Sequence, residues 1–282
     1  MLFVGFGDIA ARVAQLLPAG SQAVGLRRRA QQQNIAGLEL RCVDVTDTQQ
    51  LAAVLREPFD YVVATLTPSE MSEAGYRASY LAAARQLAEL LPQHPSLQRI
   101  FWVSSSSVYG SSAEENWVTE ETEAAPQRPT ARVLLEAEQC LADLPLTVLR
   151  FSGIYGPGRE RMVSIVSGGG PLPGPRNQWS NRIHSDDGAA FIAYLIERDS
   201  QAEKVEPLYI VTDGEPARLG EVADWLAERL QCPPPLAAQQ TPQGGGKRLC
   251  NQRLRESGFV LRYPNYRQGY AALLGAADKL QN

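Results

Sequence analysis

A glycine-rich turn at the start of the chain has the residue types and spacing of a phosphate-binding loop. Residues 5–10 read Gly-Phe-Gly-Asp-Ile-Ala, which fits the pattern Gly-x-Gly-x-x-Ala between a strand and a helix. The first glycine permits a tight turn, the second lets a pyrophosphate approach the backbone, and the small third residue lets helix and strand pack closely. Free N–H groups at the helix start favour negative charge. The pattern predicts a dinucleotide site that includes Gly5, Gly7, Asp8 and Ile9, although other α/β proteins contain similar turns.

A run of arginines stands where the second predicted strand should end, near the adenine ribose of a dinucleotide. The segment over residues 25–29 reads Gly-Leu-Arg-Arg-Arg. An NAD-selective site usually carries an acidic residue here, about 20 residues beyond the turn. An acid would repel a 2′-phosphate, whereas a guanidinium group binds one in a bidentate manner. Arg27 and Arg28 therefore favour NADP over NAD, with Arg29 a weaker candidate; the alternative is a solvated basic start to a helix.

Further candidate cofactor contacts follow the later predicted strands. Asp44 could accept a hydrogen bond from the adenine amino group, with Val45 beside it. An equally open alternative has Asp44 or Thr46 capping the helix that begins near Asp47. The same cofactor site is predicted to include a last group of residues: Ala64, Thr65, Leu66 and Ser104.

The elements that position these residues alternate along the first half of the chain. Short β-branched or aromatic runs, such as Phe59–Ala64 and Arg99–Val103, alternate with helical patterns, of which Ser69–Leu91 is rich in alanine and leucine. This alternation predicts an α/β fold built on a Rossmann-type doubly wound parallel sheet. We predict a dinucleotide-binding core over residues 1–150. The remainder, 151–282, is predicted to be a smaller C-terminal substrate lobe, interleaved with additions to the core around 183–213.

Composition excludes several classes of function. The chain of 282 residues has a formal net charge of −4, so no nucleic-acid partner or anionic membrane surface is expected. Its four cysteines are scattered and it has two histidines, so neither a disulfide framework nor a metal site is expected. No secretory leader and no apolar run of about 20 residues is present. We therefore expect a soluble, cytoplasmic protein.

Several longer motifs point to a family. Residues 104–110 read Ser-Ser-Ser-Ser-Val-Tyr-Gly and residues 150–158 read Arg-Phe-Ser-Gly-Ile-Tyr-Gly-Pro-Gly. Together with the glycine turn, the segment over residues 181–187 and the later Tyr263-Pro264, they make the chain resemble the extended and atypical short-chain dehydrogenase/reductases. Within that group it is most similar to the epimerase/dehydratase-like proteins, over nearly its whole length.

The resemblance also locates the positions where active members carry their catalytic groups. In such members a Ser or Thr at the end of the fifth strand holds the reacting oxygen, and a Tyr-x-x-x-Lys pair on the next helix supplies the acid and base. Ser105 matches the serine, but Thr130 and Leu134 stand at the tyrosine and lysine positions. Threonine has no accessible anionic form near neutral pH, and leucine cannot lower the pKa of a neighbour. Ordinary tyrosine-dependent chemistry is therefore not expected unless another group substitutes.

Tyr109 and Tyr155 are the candidate substitutes, and the alternative for both is packing or loop orientation. Arg182 is a candidate for binding an anionic substrate, and Asp187 is predicted to cap a helix over Gly188–Glu197.

Two functional hypotheses follow. One is an atypical NAD(P)-dependent oxidoreductase or epimerase (an isomerase) acting on a small polar, sugar-like or anionic substrate. The other is a non-catalytic NADP(H)-binding redox sensor or regulatory protein. Extended members often dimerise through the helices after strands four and five, so a homodimer is a candidate assembly; the Ala/Leu-rich stretch Tyr80–Leu91 could equally be buried within one chain.

Overall fold

The secondary structure is taken from a computed structural model that describes residues 1–29, 35–110, 117–236 and 245–280. Its strands are β1 (Leu2–Val4), β2 (Ala23–Arg27), β3 (Leu38–Cys42), β4 (Tyr61–Ala64), β5 (Arg99–Ser105), β6 (Trp117–Val118), β7 (Leu146–Phe151), β8 (Gly153–Tyr155), β9 (Trp179–Ser180), β10 (Arg182–His184), β11 (Leu208–Val211), β12 (Ala217–Arg218) and β13 (Arg248–Leu249). Its helices are α1 (Asp8–Leu16), α2 (Thr48–Val54), α3 (Glu73–Tyr76), α4 (Ala82–Leu90), α5 (Pro129–Cys140), α6 (Arg161–Ser167), α7 (Ser185–Ser200), α8 (Leu219–Arg229), α9 (Gln252–Glu256) and α10 (Tyr266–Leu280).

Seven strands form a parallel sheet in the order β11-β7-β5-β4-β1-β2-β3. Strand β1 is the point at which the order reverses, because Phe3 pairs with Gly25 of β2 on one side and with Val63 of β4 on the other. Strands buried on both faces read as nearly continuous apolar runs, as Leu2–Val4 does. Ligands of such sheets bind in the crevice outside the carboxyl ends of the strands at the reversal point. The predicted doubly wound α/β fold is confirmed.

The chain divides into two compact units, and unit 1 comprises residues 1–110, 124–150 and 189–209. Its core includes the fully buried Leu51, Leu87 and Trp102. Burial of side chains of this size stabilises a fold by about 1.5–3 kcal/mol each. An ion pair between Arg99 and Asp199, with 2.7 Å between nitrogen and oxygen, joins β5 to α7 within the same unit.

The predicted helix over Ser69–Leu91 is present but is not a uniform α-helix. Ser72 caps its start by accepting a hydrogen bond from the backbone N–H of Gly75 at 3.1 Å. Between α3 and α4 the backbone forms a π turn over Arg77–Leu81. Turns of this kind are rare and occur often at functional sites.

Unit 2 comprises residues 151–188, 210–282 and the short segment 111–123, which is described from Trp117. Three two-stranded ladders lie in it: β8 with β10 and β6 with β13 are parallel, and β9 with β12 is antiparallel. A second core contains Leu226 of α8 with Tyr266 and Tyr270 of α10. The sequence-based boundary at residue 150 remains a prediction. No helix in the described ranges has the length and apolar character that crossing a bilayer requires.

Two predicted helix caps are wrong. Asp47, rather than Asp44 or Thr46, caps α2, because its carboxylate accepts hydrogen bonds from the backbone N–H groups of Gln49 and Gln50. Helix α7 begins at Ser185, so Asp187 lies inside its first turn. The carboxylate of Asp187 instead accepts from the backbone N–H groups at positions 262 and 263, at 2.8 and 2.9 Å. A distant loop therefore provides the donors that a local cap would have supplied.

Candidate functional site

A groove of about 670 Å³ lies in unit 1 at the carboxyl ends of β1, β2, β3 and β4. Its position is the one that the strand order predicts for a ligand site. The residues that line it are Gly5, Phe6, Gly7, Leu26, Arg27, Arg28, Arg29, Val43, Asp44, Val45, Thr46, Thr65, Leu66, Thr67, Ser69, Ala78 and Ser79.

The glycine turn forms one wall of this groove. Gly5 has a φ of 82°, which favours glycine, and a Cβ there would lie 3.1 Å from the side chain of Leu66. The Thr65 hydroxyl donates to the Gly5 carbonyl at 2.7 Å and ties the turn to the loop after β4. Gly7 is the N-cap of α1, no side chain caps the helix there, and a Cβ at Gly7 would meet nothing within 4 Å. The first N–H groups of α1 therefore have no side-chain cap, and the backbone at Gly7 leaves room for a ligand.

The three arginines lie along the groove beside the end of β2. Within the described ranges, none of the guanidinium groups of Arg27, Arg28 and Arg29 forms an ion pair or hydrogen bond. The Nε atom of Arg27 is buried without an acceptor. A buried donor without a partner lowers the stability of the fold by about 1–3 kcal/mol. An anion that accepted a hydrogen bond from this Nε would remove that cost, so anion binding here is favoured. By contrast, the acidic Asp8 at the start of α1 is paired with Arg12 at 2.9 Å.

Asp44 and Val45 line the groove in the loop after β3. The Asp44 carboxylate accepts hydrogen bonds from Thr46, at 3.0 Å from its backbone N and 2.7 Å from its hydroxyl. These bonds hold the carboxylate in place in the loop after β3. Its contact with an adenine amino group stays a prediction.

Four predicted cofactor contacts do not line the groove. Ile9 and Ala64 are buried in the core, Asp8 is exposed, and the Ser104 hydroxyl donates to the Glu138 carboxylate at 2.5 Å. A contact from any of them would have to come from the backbone, and their assignment stays a prediction.

A buried ion pair underlies the serine motif in unit 1. The Arg150 guanidinium donates to Glu138 from Nη2 at 2.6 Å, and both side chains are more than nine-tenths buried. The Arg150 Cζ atom also lies 4.7 Å above the ring centre of Tyr109. Tyr109 is thus packed beneath a cation in the interior. Ser105 is half-buried and its hydroxyl accepts from the backbone N–H of Ser107 at 3.1 Å, which leaves its own proton available for donation.

Thr130 and Leu134, the residues predicted to stand at the tyrosine and lysine positions of the family pattern, both lie on α5. Thr130, Leu134 and Glu138 are spaced by four residues on α5 and share a face. Leu134 is buried and Glu138 is committed to its ion pair. The assignment of Thr130 and Leu134 to the tyrosine and lysine positions remains a prediction.

Tyr155 lies in unit 2, deep inside an aromatic cluster. Its ring is 4.4 Å from that of Tyr270 and 5.3 Å from that of His184, between centroids. Burial raises the pKa of the Tyr155 phenol well above its usual range. A phenol in this setting is not a base at neutral pH.

The same part of unit 2 holds the candidate Arg182 next to a buried acid, Asp213, that sequence analysis did not single out. Arg182 is buried, its Nη2 donates to the Ser180 hydroxyl at 2.7 Å, and its Nη1 has no partner among the described residues. Asp213 is 1% exposed, and its backbone N–H donates to the Arg182 carbonyl at 2.8 Å. Burial raises the pKa of Asp213 to about 7, against the opposing charge of Arg182. Asp213 lies two residues after β11, and no local sequence pattern identified it.

The π turn supplies groove residues that sequence reasoning missed. Ala78 and Ser79 of this turn line the groove. The next residue, Tyr80, donates its hydroxyl to the Leu66 carbonyl at 2.7 Å and stacks on Tyr76, with 5.4 Å between ring centres. An alanine-rich helical pattern does not reveal a π turn, so no local signal in the sequence identified these residues.

Comparison with known proteins gives one family. The model of the NAD-dependent epimerase/dehydratase family matches residues 7–211. A solved structure from Methylobacillus flagellatus, provisionally assigned as an NAD-dependent epimerase/dehydratase, is 42% identical. It has a TM-score of 0.83, and the match covers 98% of each chain.

More distant structures share the fold. UDP-glucuronic acid 4-epimerase from Bacillus cereus, in complex with NAD, is 16% identical with a TM-score of 0.77 over 100% of both chains. A human epimerase family protein with NADPH is 17% identical with a TM-score of 0.78, over 96% of this chain and 98% of that one. No curated protein matches the sequence.

Proposed function

Because the chain belongs to the NAD-dependent epimerase/dehydratase family, we propose that the groove of unit 1 binds NADP(H). The glycine turn would hold the pyrophosphate against the first N–H groups of α1, which no side chain caps. The arginines at the end of β2 would hold the 2′-phosphate. The NAD or NADPH bound by related structures is consistent with a dinucleotide at this edge of the sheet.

The observation that carries this proposal is the set of three arginines along the groove. Arg27, Arg28 and Arg29 have no ionic partner in the described part of the chain, and the Nε of Arg27 is buried without an acceptor. Cations so placed repel one another and are stabilised by a phosphate dianion. NAD carries no phosphate at this position, so the arrangement favours NADP.

For the reaction, we propose an atypical oxidoreductase or epimerase that acts on a small polar, sugar-like or anionic substrate. Bound NADP(H) would supply hydride transfer. Ser105 would orient the reacting oxygen, because its hydroxyl proton is available while its oxygen is fixed by Ser107. Neither Tyr109 nor Tyr155 suits acid/base work, since both are buried, and water would supply the proton.

A second function is favoured by a specific observation. Helix α5 carries Thr130 and the buried Leu134 on the face that leads to Glu138. This face has no group that could lower the pKa of a neighbouring phenol. A non-catalytic NADP(H)-binding sensor or regulator would need only the groove.

Calorimetric titration with NADPH and NADH tests the binding. We expect NADPH to bind at least tenfold more tightly, and the double variant Arg27→Ala/Arg28→Ala to lose that preference while NADH binding changes little. Arg56→Ala is a matched control, because this arginine of unit 1 is exposed and does not line the groove. Equal affinities for both cofactors in the wild-type protein would refute the 2′-phosphate assignment.

Turnover separates the two functions. Sugar, aldehyde and keto-acid panels should be screened with NADPH for a change in nicotinamide absorbance. Turnover that Ser105→Ala reduces at least tenfold supports the enzyme. Tight NADPH binding without turnover supports the regulator.

Assembly and location remain predictions from the sequence. A homodimer is tested by analytical ultracentrifugation, and a cytoplasmic location by cell fractionation. The expectation that no nucleic acid binds is tested by a mobility-shift assay.

A further inference from the structure

A second groove, of about 390 Å³, lies within unit 2. It is lined by Trp117, Gly214, Leu249, Cys250, Asn251 and Arg255. None of these residues belongs to the proposed cofactor groove, so this inference does not rest on NADP(H) binding. Its volume is in the range of sites for small molecules.

An aromatic wall is held in place without being buried. Trp117 is 52% exposed, although burial of a large aromatic side chain is strongly favourable. Strand β6 fixes its backbone by pairing Trp117 with Arg248 of β13, and the Arg248 Cζ atom lies 5.2 Å from the centre of its ring. The indole is thus a fixed, accessible surface on which a ring could pack.

Polar groups of two kinds accompany this wall. Asn251 is 5% exposed; its Nδ2 donates to the Thr212 carbonyl at 3.2 Å, while its Oδ1 receives no hydrogen bond from the described residues. An amide oxygen without a protein donor, on a side chain that lines a groove, favours a ligand with a donor. Arg255 is exposed, and its guanidinium has no partner among those residues. It offers a bidentate site for a carboxylate or phosphate.

We propose that this groove binds a small ring compound that carries both a hydroxyl and an acid group. The ring packs on Trp117, the hydroxyl donates to Asn251 Oδ1, and the anion pairs with Arg255. A hydroxylated aromatic carboxylate and a sugar phosphate share this chemistry.

Calorimetry with the full chain tests the proposal, using 4-hydroxybenzoate and glucose 1-phosphate as probes. We expect at least one probe to bind saturably, and Arg255→Ala and Trp117→Leu each to weaken that binding at least tenfold. Arg161→Ala, another exposed arginine of unit 2 that lies outside the groove, should leave it unchanged. The uncharged 4-hydroxybenzamide should bind at least tenfold more weakly than 4-hydroxybenzoate if the aromatic acid is the ligand.

The outcomes are distinguishable. Binding of only one probe assigns the source of the ring, and unchanged binding in Arg27→Ala/Arg28→Ala separates this groove from the cofactor groove. The proposal is overturned if neither probe binds, or if every probe that binds the wild type binds the Arg255→Ala variant with the same affinity. Arg255 is exposed, so its variant stays informative even if Trp117→Leu fails to fold, which circular dichroism would show.

Discussion

Asp213 should make the stability of this protein fall as pH rises towards neutrality. The side chain is 1% exposed; its Oδ1 accepts from the backbone N–H of Glu215 at 3.2 Å, and its Oδ2 is buried without a donor. Burial raises its pKa from 3.8 to about 7, with Glu215 and Asp187 adding to the rise and Arg182 opposing it. The change Asp213→Asn mimics the protonated carboxyl.

The direction of this pH dependence follows from the number of protons that the folded and unfolded states bind. Between about pH 4 and about pH 7 the folded state holds a proton on Asp213 that the unfolded chain has released, so unfolding becomes easier as pH rises through this window. The displacement of the pKa from 3.8 to about 7 corresponds to about 4 kcal/mol of unfolding free energy. Below about pH 4 both states are protonated, and the wild type and the variant should be equally stable.

Urea denaturation followed by circular dichroism, at intervals from about pH 4 to about pH 8, measures this difference. We expect Asp213→Asn to match the wild type at the acid end and to exceed it by about 2–4 kcal/mol at the alkaline end. Asp143→Asn is the control, because Asp143 is exposed and should show no such divergence. A difference between Asp213→Asn and wild type that is constant across the range would refute the reasoning.

Three further changes test other contacts. Tyr80→Phe removes the hydrogen bond from the Tyr80 hydroxyl to the loop after β4, which contributes about 0.5–1.5 kcal/mol. Because this loop lines the groove, calorimetry should show NADPH binding about two- to tenfold more weakly. Unchanged NADPH affinity would show that the bond does not position the loop for the cofactor. Gly269→Ala should destabilise by about 1–3 kcal/mol, because the new Cβ would overlap the Tyr155 hydroxyl, and adding Tyr155→Leu should recover part of the loss of melting temperature. Glu138→Ala should cost about 3–5 kcal/mol in urea denaturation by leaving a buried arginine unpaired. Glu136→Ala, which removes only surface pairs on the same helix, should cost about 1 kcal/mol or less, and equal losses for the two would argue against the buried pair.

Local sequence patterns were sufficient to predict much of the fold. The alternation of strands such as Phe59–Ala64 with helical stretches predicts parallel strands and crossover helices, because each pattern depends only on which residues a single element buries. The glycine turn and the arginines after β2 likewise lie within a few residues of the strand ends that position them, so sequence spacing alone places them at one edge of the sheet.

Predictions from local spacing were wrong where a side chain finds its hydrogen-bond partner in a distant segment of the chain. Asp187 has the sequence position of a helix cap, yet its carboxylate binds backbone N–H groups about 75 residues away. The π turn over Arg77–Leu81 shows no departure from a helical sequence pattern, because it shifts the hydrogen bonds of the backbone rather than the type of side chain.

The glycine turn and the run of basic residues were thus determined by the sequence itself, since a strand, a turn and a helix start are contiguous in the chain. Only the tertiary structure decided which polar groups are buried together. It pairs Glu138 with Arg150, surrounds Tyr155 with aromatic rings and leaves Asp213 next to Arg182. The chemical character of each of these groups depends on desolvation and on neighbouring charge, and both arise only when remote segments pack against one another.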